Sequence, residues 1–155
     1  MSKEEQYKEL VPQLEAIVAG EVDETANMAN VAAVLHEAFG FWWTGFYRVA
    51  PALQNEEKKE LVLGPFQGPA ACTRIPFGKG VCGTAWAKKE TVIVPDVHDF
   101  IGHIACSSAS NSEIVVPIFK GDEVTAVLDI DSTDFGTFDE TDKYWLEKIV
   151  TRCFS

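Results

Sequence analysis

No Cys-x-x-Cys pair occurs in these 155 residues, and no run of 18 apolar residues. The first absence speaks against the common zinc sites. The second speaks against a membrane-spanning helix. Positive charge is scarce, with 13 Lys and Arg against 24 Asp and Glu and a net charge of −11. Nucleic acid and anionic membranes both require a basic face, so neither is expected as a partner. An anionic ligand bound locally stays compatible with this balance. The glycine-rich stretches Gly64-Pro65-Phe66-Gln67-Gly68-Pro69 and Gly78-Lys79-Gly80 match neither a P-loop nor a dinucleotide fingerprint and read as tight turns, so nucleotide use has no support. There is no internal repeat, low-complexity tract or linker. The opening residues MSKEEQYKEL are charged where a secretion signal would be apolar, so the expected address is cytoplasmic.

What is present is ordinary globular composition, 46% hydrophobic and 24% charged. A chain of this length is expected to form one domain over residues 1–155 and to bury roughly 68–70% of its unfolded surface. Tyr7, Leu10, Val11, Leu14, Ile17 and Val18 recur at helical spacing over residues 4–19, and Gly20 ends that helix. Met28, Val31, Val34, Leu35 and Phe39 repeat the pattern over 24–39, with Asp23 as N-cap and Gly40 as the stop. The period then changes. Residues 41–49 are aromatic and β-branched and read as a strand, followed by a polar hairpin loop and a second strand over 60–64. A third strand is expected through 71–75, a short helix over 81–88 and a short strand over 91–94. Two further strands, 113–119 and 123–130, are joined by the turn Lys120-Gly121-Asp122. A final helix starts near residue 138. The layout is helices over 1–40, sheet and loops over 41–135, and a helix over 138–155. Hairpin-joined strands with helices at both ends predict an α+β fold with an antiparallel sheet.

Three cysteines lie in the middle third. Cys72, Cys82 and Cys106 sit among small or polar residues, spaced 10 and 24 positions apart. In a reducing compartment, cysteines on loops and turns are more often reactive or metal-binding than structural. Cys106 has the strongest claim to reactivity. It lies in the 97–112 stretch, a long connection for a compact domain. Free N–H groups at a helix start near Ser107–Ser110, or a protonated His103, would lower its pKa from about 8.5. The competing reading for each thiol is a buried, inert cysteine; it is the favoured one for Cys153. The donors Asp96, His98, Asp99, His103 and Cys106 follow no common zinc spacing, so no metal is expected.

Asp129 and Asp131 flank Ile130 and would share one face of a strand. Such a pair repels itself unless a cation sits between. A bound ammonium group is one candidate, and a surface lysine or a hairpin end is the plainer one. Pairing across the Lys120–Asp122 turn would bring Glu113 near them, and crowded carboxylates keep one acid protonated. Trp43 and Tyr47 share a face of the first strand. Core packing is the default for them; walling an apolar pocket that takes a methyl or thioether group is the functional alternative.

The segments LVLGPFQGPAACTRIPFGKGVCGTAWA, DVHDFIGHIACSSASNSEIVVPIF and VLDIDSTDFGTFDETD resemble the free methionine-(R)-sulfoxide reductase family, over roughly residues 30–152. That resemblance implies a GAF-like domain, a six-stranded antiparallel sheet flanked by N- and C-terminal helices, often as a homodimer. It implies reduction of free L-methionine-(R)-sulfoxide without an organic cofactor. Carried over by position, Cys106 is the nucleophile, Cys72 resolves the sulfenic acid as a disulfide, and Cys82 relays or substitutes, with thioredoxin restoring the thiols. Glu113, Asp129 and Asp131 become the pocket acids, with Glu113 as proton donor, and Trp43 and Tyr47 the pocket aromatics. Trp42 beside Trp43, and Cys153, depart from the pattern without touching these motifs. Against the enzyme stand a GAF module that binds a small ligand or senses redox state without turnover, and a plain dimerisation domain. The cysteine spacing favours the enzyme, since a sensor needs no resolving thiol. A sensor also normally reports to an attached effector, and none is expected within 155 residues.

Overall fold

The computed structural model describes residues 1–103 and 109–154. Two helices come first, α1 (Lys3–Val18) and α2 (Glu24–Phe39). Ser2 caps α1 by accepting from the Glu5 N–H, and Glu4 and Glu5 in its first turn suit the positive end of the helix dipole. Asp23 caps α2 by accepting from the Ala26 N–H. Gly40 closes α2 in the left-handed conformation (φ 67°), where its N–H donates to the His36 carbonyl.

Six strands follow: β1 (Trp43–Pro51), β2 (Lys59–Gln67), β3 (Arg74–Pro76), β4 (Val92–Val94), β5 (Ser112–Lys120) and β6 (Glu123–Ser132). The short helix α3 (Gly80–Lys88) lies between β3 and β4, a single 3-10 turn spans Val97–Asp99, and α4 (Glu140–Phe154) closes the chain. The sheet order is β3-β2-β1-β6-β5-β4, and every neighbouring pair is antiparallel. This is the α+β architecture the sequence predicts. No helix among the described residues is long and apolar enough to cross a membrane.

The two-residue period of the strands sorts side chains into two cores. Phe46, Ile114, Val116, Leu128 and Ile130 point to one face, where they pack with Tyr7, Leu14, Leu35 and Leu146 of α1, α2 and α4. Burying each such side chain contributes about 1.5–3 kcal/mol. Trp43, Tyr47, Val115 and Val127 point to the other face, beneath Val81, Cys82 and Ala85 of α3. Three helices close the first face, while α3 and loops cover the second. The second face therefore has room for a site. The helical layer is also pinned by polar contacts. The Tyr7 hydroxyl donates to Asp142 Oδ1 at 2.6 Å, and Lys3 Nζ pairs with Asp142 Oδ2 at 2.7 Å. Together these tie α1 to the start of α4.

Two expected strand limits shift by three residues. The second strand does not stop at Gly64 but runs to Gln67, pairing Gly45 with Phe66 and Thr44 with Gln67. Between Gly45↔Phe66 and Tyr47↔Leu63 the register shifts, with one residue on β1 opposing two on β2. This bulge accommodates Pro65, which has no N–H for the ladder. Gly64-Pro65-Phe66-Gln67 is thus strand, not turn. The third strand starts at Arg74, so Cys72 lies on the loop before it. Arg74–Pro76 pair with β2, and just ahead of them the Thr73 carbonyl accepts from the Leu63 N–H at 2.9 Å.

Candidate active site

Three central strands supply a lateral row of side chains on the α3 face. Trp43 of β1 pairs with Asp131 of β6, which pairs with Glu113 of β5. In the next row Gly45 faces Asp129, and in the next Tyr47 faces Val127. Side chains two residues apart share a face, so Asp129 and Asp131 stand together, with Trp43 and Tyr47 beside them. Ile130 points into the helical core. From the opposite side α3 lowers Cys82 onto this row. Cys82 Sγ and carboxylate oxygens of Glu113 and Asp129 all lie within 4.8 Å of one another.

These residues border a cavity of about 550 Å³, its open mouth included, with His103, Ser110 and Ala71 at its margin. The aromatic wall is held by two glycines. A Cβ on Gly45 would lie 2.3 Å from Phe66 Cβ and 2.6 Å from the Trp43 ring. Gly68 (φ 127°) would bring one within 2.8 Å of Trp43 Cδ1. Trp43 stacks on Phe66 at 5.2 Å and on Tyr47 at 6.0 Å between ring centroids. Both polar tips point away from the acids. Trp43 Nε1 donates to the Pro69 carbonyl at 3.0 Å, and the Tyr47 hydroxyl donates to the Cys72 carbonyl at 2.8 Å. The two aromatics therefore wall the cavity and also anchor the loop that carries Cys72.

The electrostatics are one-sided. Among the described residues no Lys or Arg borders the cavity, yet three carboxylates do. Burial pushes the Glu113 acid well up, and Asp129 and Asp131 push it further. Asp131 is likewise raised well, by burial and then by Asp129, although Ser110 Oγ donates to it at 3.3 Å. Asp129 is raised by burial, with neighbouring hydrogen bonds pulling back. Its Oδ1 is buried without a hydrogen-bond partner. Burial and the same acids push the Cys82 thiol well up, a setting that suppresses its thiolate. His103 Nε2 lies 3.7 Å from Glu113 Oε1. Burial lowers the His103 pKa, and the charge of His98 adds to the effect, so the ring favours its neutral form.

The structure thus brings Trp43, Tyr47, Cys82, Glu113, Asp129 and Asp131 to one cavity. Cys72 is in a disulfide and its carbonyl is tied to Tyr47, whereas Cys82 and Cys153 are free. Cys106 lies outside the described residues. Cys153 is half-buried on α4, remote in sequence from this row, with its thiol pushed up to about 11 by burial and Glu15. Sequence reasoning missed Ser110 as a partner of Asp131 and the anchoring of the Cys72 loop by Trp43 and Tyr47. Gly45 and Gly68 were the available signals, one within an aromatic strand and one just beyond the next. Their meaning depends on which ring crosses them.

The GAF domain pattern matches residues 22–153. The chain is 46% identical to free methionine-R-sulfoxide reductase of Escherichia coli, covering 98% of this chain and 88% of that protein. It is 44% identical to the Saccharomyces cerevisiae protein of the same name, covering 96% and 84%. It superposes on the X-ray structure of free methionine-R-sulfoxide reductase from Neisseria meningitidis in complex with its substrate. The TM-score is 0.93 at 54% identity, over 99% of this chain and 89% of that one. By sequence and by fold, this chain belongs to the free methionine-R-sulfoxide reductase family of GAF domains.

Proposed function

We propose that the protein reduces free L-methionine-(R)-sulfoxide to L-methionine, with a thiol as the electron source. The observation that carries this reading is a buried triple carboxylate with no basic residue beside it among the described residues, under an aromatic wall and against a cysteine-bearing loop. Such a cluster calls for a cation, and the ammonium of a free amino acid supplies one to Asp129 and Asp131. Trp43 and Tyr47 provide the apolar surface for the methyl and thioether end. A peptide-bound residue has no ammonium, which accounts for selectivity toward the free amino acid.

In the proposed cycle the Cys106 thiolate attacks the sulfoxide sulfur. Glu113, kept protonated by burial and its acidic neighbours, gives its proton to the departing oxygen. Methionine is released and Cys106 is left as a sulfenic acid. The Cys72 thiol condenses with it, forming the disulfide and losing water. A dithiol of the thioredoxin class then reduces the disulfide and is itself oxidised. The Cys72 disulfide supports the resolving step. Cys82 stays protonated and acts at most as a relay. Assembly as a homodimer is part of the same proposal and is checked by the solution mass.

The test is thioredoxin-coupled NADPH oxidation with free Met-(R)-sulfoxide, free Met-(S)-sulfoxide and an N-blocked sulfoxide given separately. Turnover is expected with the free R form alone. No turnover with any of them, in folded and fully reduced protein, would overturn the reading in favour of a ligand-binding GAF module.

A further inference from the structure

Cys82 lies in the cavity with no required step in the proposed cycle. It is 4% exposed, and its sulfur faces two carboxylates within 4.8 Å. A thiol is a poor partner for an ammonium group, so substrate binding does not account for its place among the acids. The Asp129 side chain, on a residue 6% exposed, borders the same space with Oδ1 unpartnered. At the margin His103, with its side chain 17% exposed, sets Nε2 3.7 Å from Glu113 Oε1. One thiol, two carboxylates and an imidazole are a donor set for a borderline-soft divalent cation.

We propose that Cys82, Glu113 and Asp129 form a site for Zn²⁺ or a similar cation, with His103 as fourth donor, and that its occupation closes the cavity to substrate. Tetrahedral zinc has bonds of about 2.0–2.3 Å, which sets donor atoms roughly 3.3–3.7 Å apart. The donors of Cys82, Glu113 and Asp129, within 4.8 Å of one another, close to that with side-chain shifts of about 1 Å, and the His103 ring moves farther to join them. Mg²⁺ and Ca²⁺ prefer oxygen donors alone and do not suit a site that includes a thiol. On binding, the Cys82 S–H and Glu113 O–H bonds break, both protons go to solvent, and S–Zn and O–Zn bonds form without any change of oxidation state. Asp129 is also proposed for the substrate ammonium and Glu113 for the proton donor, so metal and amino acid exclude each other. The exclusion rests on the proposed function; the metal site itself does not.

Cobalt is the probe, because a thiolate on Co²⁺ gives a near-ultraviolet charge-transfer band. Co²⁺ is titrated into the full chain in its oxidised form, carrying Cys153→Ser. With Cys72 in its disulfide, Cys82 is then the only free thiol among the described residues. The expected result is one equivalent bound, with the band present and displaced by Zn²⁺ but not by Mg²⁺, at a zinc Kd of about 1 µM or tighter. Cys82→Ser is expected to abolish the band, and Asp129→Asn to weaken binding by at least about 100-fold, beyond the loss typical of groups that only support a ligand. Thermal melts check that both variants are folded. No band in the folded Cys153→Ser protein overturns the site, as does a band that survives Cys82→Ser. Added free methionine sulfoxide is expected to weaken cobalt binding in proportion to its own occupancy. A band that methionine sulfoxide leaves unchanged overturns the exclusion while the site stands, and turnover in the coupled assay then tells whether the catalytic reading also stands.

Discussion

Replacing Asp129 with Asn should make the protein more stable and a poorer catalyst at once. The wild-type carboxyl is 6% exposed, has Oδ1 without a partner, and shares its surroundings with Glu113 and Asp131. Leaving a buried acceptor unsatisfied costs about 1–3 kcal/mol. An amide of the same shape removes one charge from the cluster and turns an N–H toward the remaining acids. A gain of about 1–2 kcal/mol is expected, in line with other relief of strained sites. For a chain of this length that raises Tm by roughly 2–8 °C. The pH dependence has a definite sign. The native state holds these acids above their ordinary pKa, so it binds more protons than the unfolded chain once pH passes the unfolded carboxylate range of about 4. Wild-type stability is full below that range and falls as pH rises through the folded values. The advantage of Asn therefore grows between pH 4 and pH 8. Binding moves the other way. A hydrogen bond to a charged group contributes about 1.5–3 kcal/mol, so kcat/KM for free methionine sulfoxide should fall roughly 10- to 100-fold. The assays are thermal melts at several pH values and coupled turnover. A lower Tm, or a gain that is no larger at pH 8 than at pH 4, would refute the account of a destabilised acidic cluster.

Cys106→Ser should abolish turnover, and Cys72→Ser should release about one equivalent of methionine per site and then stall; continued thioredoxin-driven turnover in Cys106→Ser would sink the role assignment. Tyr47→Phe removes the 2.8 Å bond to the Cys72 carbonyl. It should slow disulfide formation more than the first methionine release, seen as a trappable sulfenic acid that persists after a single turnover. Gly45→Ala places a methyl against Phe66 and Trp43, and overpacking of this kind should cost about 1–3 kcal/mol in denaturant melts. Asp142→Ala leaves the buried Tyr7 hydroxyl without its acceptor and the Lys3 ammonium with only Asp139 and the Thr137 carbonyl. A loss of about 3 kcal/mol is expected, with α1 exchanging amide hydrogens faster.

Much of the fold was legible because it depends on local rules. The helical stripes of α1 and α2, the Asp23 cap and the Gly40 stop need only nearby residues to be understood. The β5–β6 hairpin follows from its turn, and with it the pairing of Glu113 with Asp131. The strand limits that shifted are those that depend on a partner. β2 runs on to Gln67 because β1 offers Thr44 and Gly45 to pair with, and a bulge absorbs Pro65. The strand expected from residue 71 begins at Arg74, where the ladder with β2 starts.

The chemistry divides in the same way. Alternation along one strand already put Asp129 with Asp131 and Trp43 with Tyr47, because the two-residue period is a property of the extended chain itself. What meets across strands and layers is decided only when the sheet closes. The arrival of Cys82 from α3 over Glu113 and Asp129, the grip of Tyr47 on the Cys72 carbonyl, and the exclusion of basic side chains from the cavity among the described residues all join residues far apart in the chain. Sequence determined which groups could react. Tertiary packing decided which of them share one desolvated space, and desolvation is what pushes the acids and the Cys82 thiol up from their ordinary pKa values.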